Sequence, residues 1–373
     1  MIKLTYKTML FLLLGFVTTV SAETSDFKKE FTREVHESFN VSSGVDFSVQ
    51  NRHGDINIAT WGKSEIEIDV LIKVKSNNSE KAQQFLNEIE IAFDASSSRV
   101  SAETIIPNND KPWWSGWFGN NKNLNYEVHY TINAPESMST HLINKYGNIK
   151  QASINGDCEV TNKYGDVFLE DVSGRLDLNL GYGKASIGSV GDSEMQVKYS
   201  SVKLVDAGDM RMSTKYSDFK IKSCGDMTAY TKYDDYRIGE MTSLKNDGKY
   251  DEFTIQTIND INIDTKYTDV DIQQLNGTGI FDTAYGSVDV SSTGSNLEKI
   301  RINSKYTDYK FGIDGDFNLD FEGSRTDLHV SKPYEKYSSH KDGGDLKIGA
   351  YRGSKGGGAQ ISAYMRYGGL KIM

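Results

Sequence analysis

Lys163-Tyr-Gly-Asp-Val167 and Lys232-Tyr-Asp-Asp-Tyr236 are two copies of one phrase that recurs between Lys145 and Asp308. The tyrosines of its ten copies are Tyr146, Tyr164, Tyr182, Tyr199, Tyr216, Tyr233, Tyr250, Tyr267, Tyr285 and Tyr306. They are spaced 18, 18, 17, 17, 17, 17, 17, 18 and 21 residues apart. A period this even marks a quasi-one-dimensional repeat, in which each unit buries its apolar face only against its neighbours.

The residues around each Tyr define the unit. Three and five positions after it stand apolar residues, such as Val167 and Leu169, Phe219 and Ile221, Val270 and Ile272. Apolar positions two apart mark one face of a strand. A third apolar series follows eight positions after Tyr (Ile154, Val172, Val190, Ala207, Cys224, Met241), and Gly then follows in Gly156, Gly174, Gly191, Gly208 and Gly225. That Gly suits a tight turn with positive φ. A second alternating strand lies six and four residues before the next Tyr, as in Cys158 and Val160 or Ile261 and Ile263. Each unit therefore reads strand, turn, strand, turn, with no room for a helix. The fold this predicts is all-β, a single-chain β-solenoid of ~17-residue two-strand rungs stacked at about 4.8 Å. Gln151, Ala185, Ser193, Asn246 and Gly279 occupy phases that the pattern expects to be apolar.

Lys precedes Tyr in eight of the ten copies, and an acid stands two after it at Asp166, Asp218, Asp235, Glu252, Asp269 and Asp308. Stacked like charges would be offset along that edge by exposed pairs worth roughly 0–1 kcal/mol each. The stripe reads as a solvated turn. Tyr shares the parity of the inward second strand and is expected to be a structural corner residue closing the core. An exposed, sugar-stacking ladder is the alternative.

The flanks differ from the repeat. Residues 23–134 read as a β-rich cap, in which Phe47 to Ile58 already matches a rung with His53 in the Tyr position. Ile66 to Val74 alternates as a strand. Ser79 is expected to cap a short helix (79–90) with Ala82, Phe85, Leu86 and Ile89 on one face. Further strands are expected near 99–106 and 125–134, around a loop (107–124) carrying Trp113, Trp114, Trp117 and Phe118. That loop either covers an open end of the solenoid or binds a partner. Regular rungs run over 135–330, with Arg325 to Val330 as an imperfect copy. Over 331–373 an irregular stretch surrounds a strand near Leu346–Tyr351, and a terminal rung carries Tyr367. Cys158 and Cys224 sit about four rungs apart, too far to bridge, in inward phases where Cys behaves as a small hydrophobe.

Residues 1–22 read as a secretory signal peptide: Lys3 and Lys7, an apolar run from Met9 to Val20, then Ser21-Ala22. Without them the chain keeps 40 basic against 52 acidic residues, a net −12. That balance argues against nucleic acid and anionic membrane surfaces as partners, and no later segment is apolar enough to span a membrane. No phosphate-cradling loop, Cys/His metal spacing or nucleophile elbow is present. The aspartates repeat evenly, as turns do, whereas an active site would break the repeat in one place. No enzyme activity and no cofactor are expected.

The strand ending Asn51-x-x-Gly-Asp-Ile-x-Ile58, the later Ala134-Pro135 and the serial Gly-Asp-Val rungs resemble bacterial adhesin families of unknown function, the head-GIN type among them, common in Bacteroidetes. The resemblance implies a β-solenoid and an adhesin-like role, and no functional residues carry over from it. The expectation is an exported protein of a Gram-negative envelope (periplasm, outer-membrane-associated, or cell surface and secreted) that offers an extended surface to an unknown envelope protein or glycan. A carbohydrate-binding or polysaccharide-cleaving β-helix is the alternative.

Overall fold

A computed structural model describes residues 29–106, 124–331 and 333–373. The expected signal peptide and the Trp113, Trp114, Trp117 and Phe118 loop lie outside the described residues. The chain is all-β apart from one described helix, and its repeats wind as a β-solenoid. Cys158–Lys163 pairs in parallel with Ser139–Lys145 on one side and Leu176–Gly181 on the other, each residue facing its equivalent one repeat away. Val167–Leu169 does the same between Ile149–Gln151 and Lys184–Val190. The two strand columns continue through Lys299–Phe311. The apolar series eight after Tyr joins them, with parallel bridges Ile154↔Val172 and Val172↔Val190. Every apolar phase faces one narrow core, where Phe219, Tyr236 and Phe253 stack at 4.7 and 4.8 Å.

The off-pattern residues are buried. Asn246 donates to Thr231 Oγ1 at 2.9 Å, and Gln151 donates to Cys158 Sγ at 3.4 Å. Gly279 leaves space for the Phe281 ring, 2.7 Å from where a Cβ would stand. Both cysteines are free and buried.

Two expectations about turns are corrected. Gly174, Gly208 and Gly225 do not have positive φ. They are glycine for space, since a Cβ at each would lie 2.4–2.6 Å from an aspartate oxygen of the previous rung. The left-handed residue of each Tyr rung is instead the Tyr, with φ between 53° and 62°, and His53 and Arg325 take that place in their own rungs. The N-cap of α1 (Ser79–Glu88) is Asn78, whose side chain accepts from Lys81 N at 2.9 Å, and not Ser79. Ala82, Leu86 and Ile89 of the expected apolar face are buried.

Both ends abandon the parallel winding. At the N-terminal end Leu124–Pro135, Glu65–Ser76 and Lys29–Asn40 pair antiparallel in succession over the His53 rung. At the other end the last strand of the chain, Ala359–Ile372, inserts between Lys299–Phe311 and Phe317–Val330. The Tyr367 rung therefore precedes the Arg325 rung in space although it follows it in sequence. The hairpin Glu335–Asp342/Asp345–Arg352 then lies antiparallel on Phe317–Val330, with a fully exposed, charged outer strand. Charged antiparallel edges of this kind discourage further pairing.

Candidate functional site

The alternation of buried and exposed residues slips by one at each corner. From Tyr199 to Tyr267 and at Tyr306 the residue after Tyr is buried while the ring itself is exposed, and in the glycine copies that next residue is half-buried. A single left-handed residue produces this slip by turning the chain through the corner. The tyrosines expected to close the core are therefore exposed, by 37–53% from Tyr164 to Tyr367. Left-handed φ costs a non-glycine residue roughly 1–2 kcal/mol, so each rung needs a return.

That return comes from neighbouring rungs. His53 stacks on Tyr146 at 4.8 Å, and each following Tyr stacks on the next at 4.7–5.1 Å with ring planes within 17°. Tyr306 then stacks on Tyr367 at 4.7 Å, bridging the inserted strand. Twelve rings form one column, about 50 Å long at the ~4.8 Å rung spacing. Stacked aromatic pairs return about 0.5–1.5 kcal/mol each, enough to offset the backbone cost only when every ring has neighbours. The column is closed at both ends. Tyr126 packs edge-on against His53, and the Arg325 guanidinium lies over Tyr367 and donates to its hydroxyl at 3.0 Å. Burial, reinforced by Arg52 and Lys145, lowers the His53 pKa to about 4, so it stacks as a neutral ring.

This geometry decides what the corner can contact. Ring faces separated by less than about 5.1 Å are covered by one another, so sugar rings cannot stack on them. Ring edges and phenol hydroxyls remain exposed, beside the lysines. Lys215 and Lys232 lie 5.0 and 5.1 Å from the centroids of the rings that follow them. Among the described residues Lys249 and Lys266 form no ion pair, so the offset expected between the Lys and acid series is not made directly.

Beneath the column runs a buried polar one that sequence reasoning missed. From Gly183 to Asp251 the amide N–H after each Tyr donates to the side chain one rung on: Ser200 Oγ, Ser217 Oγ, Asp234 Oδ1, Asp251 Oδ1 and Thr268 Oγ1, at 2.8–3.4 Å. Thr214 and Thr231 donate to the other carboxylate oxygens of Asp234 and Asp251, at 2.8 and 2.7 Å. Burial raises both pKa values, that of Asp251 to about 6, against the pull of these hydrogen bonds. The signal is present in the sequence, since Ser, Asp or Thr follows Tyr in six copies, but the apolar phases alone do not reveal it.

Other features are local. A groove of about 620 Å³ on the second-strand face is lined by His141, Asp157, Glu159, Arg175 and Asp177 and continues past Asn179 and Gln196. Arg175 pairs there with Asp177 and Glu194, at 2.8 and 2.7 Å. His36, Glu67 and Asp69 bring ligand atoms within 4.8 Å of one another on the cap, where His36 Nδ1 bonds Asp69 at 2.7 Å.

Three solved structures match along almost the whole chain. A putative cell adhesion protein from Clostridium sporogenes is 11% identical, covering 92% of this chain and 98% of its own, with a TM-score of 0.17. A putative adhesin from Bacteroides fragilis is 12% identical (91% and 97%, TM-score 0.28), and one from Parabacteroides merdae is 8% identical (91% and 96%, TM-score 0.31). Similarity at this level carries no inference about what this chain binds. No family model matches the chain, and no curated protein matches it. None of the described helices is long and apolar enough to cross a membrane.

Proposed function

We propose that this is an exported, non-enzymatic, adhesin-like protein of a bacterial envelope or cell surface that works by presenting a long, rigid contact surface. The observation that carries the reading is the exposed corner, a continuous aromatic column of about 50 Å whose ring edges are flanked by lysine in eight of its ten Tyr copies between Tyr146 and Tyr306. A rigid column loses little conformational entropy on contact, and repeated weak contacts sum along its length. Residues 1–22, with the pattern of a secretory signal, support export.

The test is saturable binding of the mature chain to envelope fractions and to an array of envelope glycans and cell-wall polymers. A variant with Tyr216, Tyr233, Tyr250 and Tyr267 changed to Phe keeps the stacked column but loses its hydroxyls. Binding that weakens in this variant supports the corner as the contact surface. No saturable binding by the native chain to any of these targets rejects the reading.

A carbohydrate-binding role has its own support in the polar groove beside His141, where carboxylates, amides and a guanidinium line one depression. Binding that is unchanged in the Phe variant and lost in Glu159→Ala/Asp177→Ala moves the site there.

A further inference from the structure

The Lys–Tyr corner is sided. Lysine ends the strand on one side of each ring, and an acid opens the strand on the other side two residues later. Lys249 with Glu252 and Lys266 with Asp269 are exposed on opposite flanks of the column, and Lys215 with Asp218 continues the pattern. Lys249, Lys266, Asp218 and Glu252 form no ion pairs among the described residues. Each row therefore stacks like charges at the ~4.8 Å rung spacing, at roughly 1 kcal/mol per adjacent pair even in water. A uniform polyanion laid on the stripe would relieve the lysines but meet the acids. The surface that relieves both rows carries the same two rows in the opposite lateral order.

We infer that the corner is a self-association surface whose partner is a second copy of this chain, parallel to the first and in rung-for-rung register. Symmetry selects this arrangement. A two-fold axis along the solenoid reverses the lateral order and keeps the rung order, placing each lysine row over the partner's acid row. A two-fold axis across the solenoid brings lysine onto lysine and acid onto acid, and it reverses the winding direction. The first is isologous and closed, so it yields dimers and not fibres.

Both charged rows are complete over four adjacent rungs, from Lys215 and Asp218 to Lys266 and Asp269, so these set the register, while the tyrosine edges of the remaining column extend the contact. A face about 50 Å long and roughly 10 Å wide buries on the order of 1,000 Å² in total, the low end for a specific interface. The dimer is therefore weak and salt-sensitive. Because the two copies point the same way, it suits neighbours held on one surface, where local concentration is high, and not copies facing each other across a gap. This rests on the extended-contact reading but can fail apart from it.

Sedimentation of the mature chain over a concentration series, at low and high salt, reads the association. The expected result is a monomer–dimer equilibrium that weakens as salt rises. Lys249→Glu/Lys266→Glu should weaken self-association about tenfold or more, as should Glu252→Lys/Asp269→Lys, because each makes both flanks alike. Mixed together, the two variants become complementary and should restore the dimer. Spin labels on Lys150→Cys and, separately, on Asp271→Cys should each give a short distance to the same residue of the partner. A chain that stays monomeric at low salt and high concentration overturns the proposal. So does a dimer that survives both charge reversals, or one whose label distances are long at both positions. A dimer without envelope or glycan binding leaves this surface standing and removes the adhesin-like reading, and binding by a monomer does the reverse.

Discussion

The rungs of Tyr146 and Tyr164 and those of Tyr216 to Tyr250 carry the same outer column on two different inner ones. In the first group the residue after Tyr is glycine, and the inward carbonyls of Gly147 and of Gly54 one rung earlier are met by asparagine. Asn144 donates to Gly54 O at 2.9 Å, and Asn162 donates to Gly147 O at 3.3 Å. The next N–H is satisfied by a side chain one rung back, as when Asp166 N donates to Asn148 Oδ1. In the second group the N–H of the residue after Tyr points inward, so that position in the next rung carries an acceptor: Ser217, Asp234 or Asp251. The carbonyl now accepts from the backbone of the following rung, as in Asp235 N to Ser217 O at 3.0 Å. Each solution gives the inward peptide group at the corner a partner. The shared exterior shows that stacking fixes the Tyr ladder, while the interior satisfies the corner backbone in two different ways.

The sharpest break between the two groups is at glycine. A Cβ on Gly165 would lie 1.9 Å from Gly147 O, so Gly165→Ala should cost about 3 kcal/mol or more in denaturant unfolding. A loss below about 1 kcal/mol would show that the two corner types interconvert.

Asp251 sharpens the comparison through pH. Its folded pKa, raised to about 6, exceeds the ordinary value of 3.8. Between those values the unfolded chain has released a proton that the folded chain keeps. Its contribution is therefore greatest below about 3.8, falls as pH rises towards 6, and is flat above. Two units correspond to roughly 3 kcal/mol. Asp251→Asn should remove that fall, gaining on native protein as pH goes from 4 to 7, as melting curves at each pH would show. A constant difference between the two proteins across that range would contradict the assignment.

Ser217→Ala leaves the Ser200 N–H without its acceptor and should cost roughly 1–2 kcal/mol. The corresponding loss has no counterpart in the glycine rungs. The smallest effect is on the column itself. Tyr233→Gly and Tyr233→Ala both lose two stacked neighbours, but only glycine is at ease with positive φ. The alanine variant should be the less stable by about 1 kcal/mol. Equal stabilities would mean that the corner refolds once the ring is gone.

Much of this fold is legible in the amino-acid sequence. The apolar phases locate the core strands because a parallel ladder with in-register stacking repeats each inward position faithfully. Phase alone assigns His53 and Tyr367 to the ladder, and both stack at those places. The direction of the Tyr side chain is not legible in the same way, because parity counted through the corner assumes that alternation never slips. The slip is implicit in the spacing: an inward residue four before Tyr and another three after it are an odd number apart.

The sequence by itself determined the period, the core faces and the separation of the two cysteines, because these follow from alternation and rung spacing within a few residues. Only the tertiary structure decided that the tyrosines stack outside, since a strained backbone angle is acceptable there only if neighbouring rings return its cost. Only it decided that the last strand enters between two earlier rungs, because strand order at an open end is set by which edge remains unpaired. And only it aligned the lysines and acids on opposite flanks of one column, because that sidedness arises where two strands meet at a corner and exists in neither strand alone.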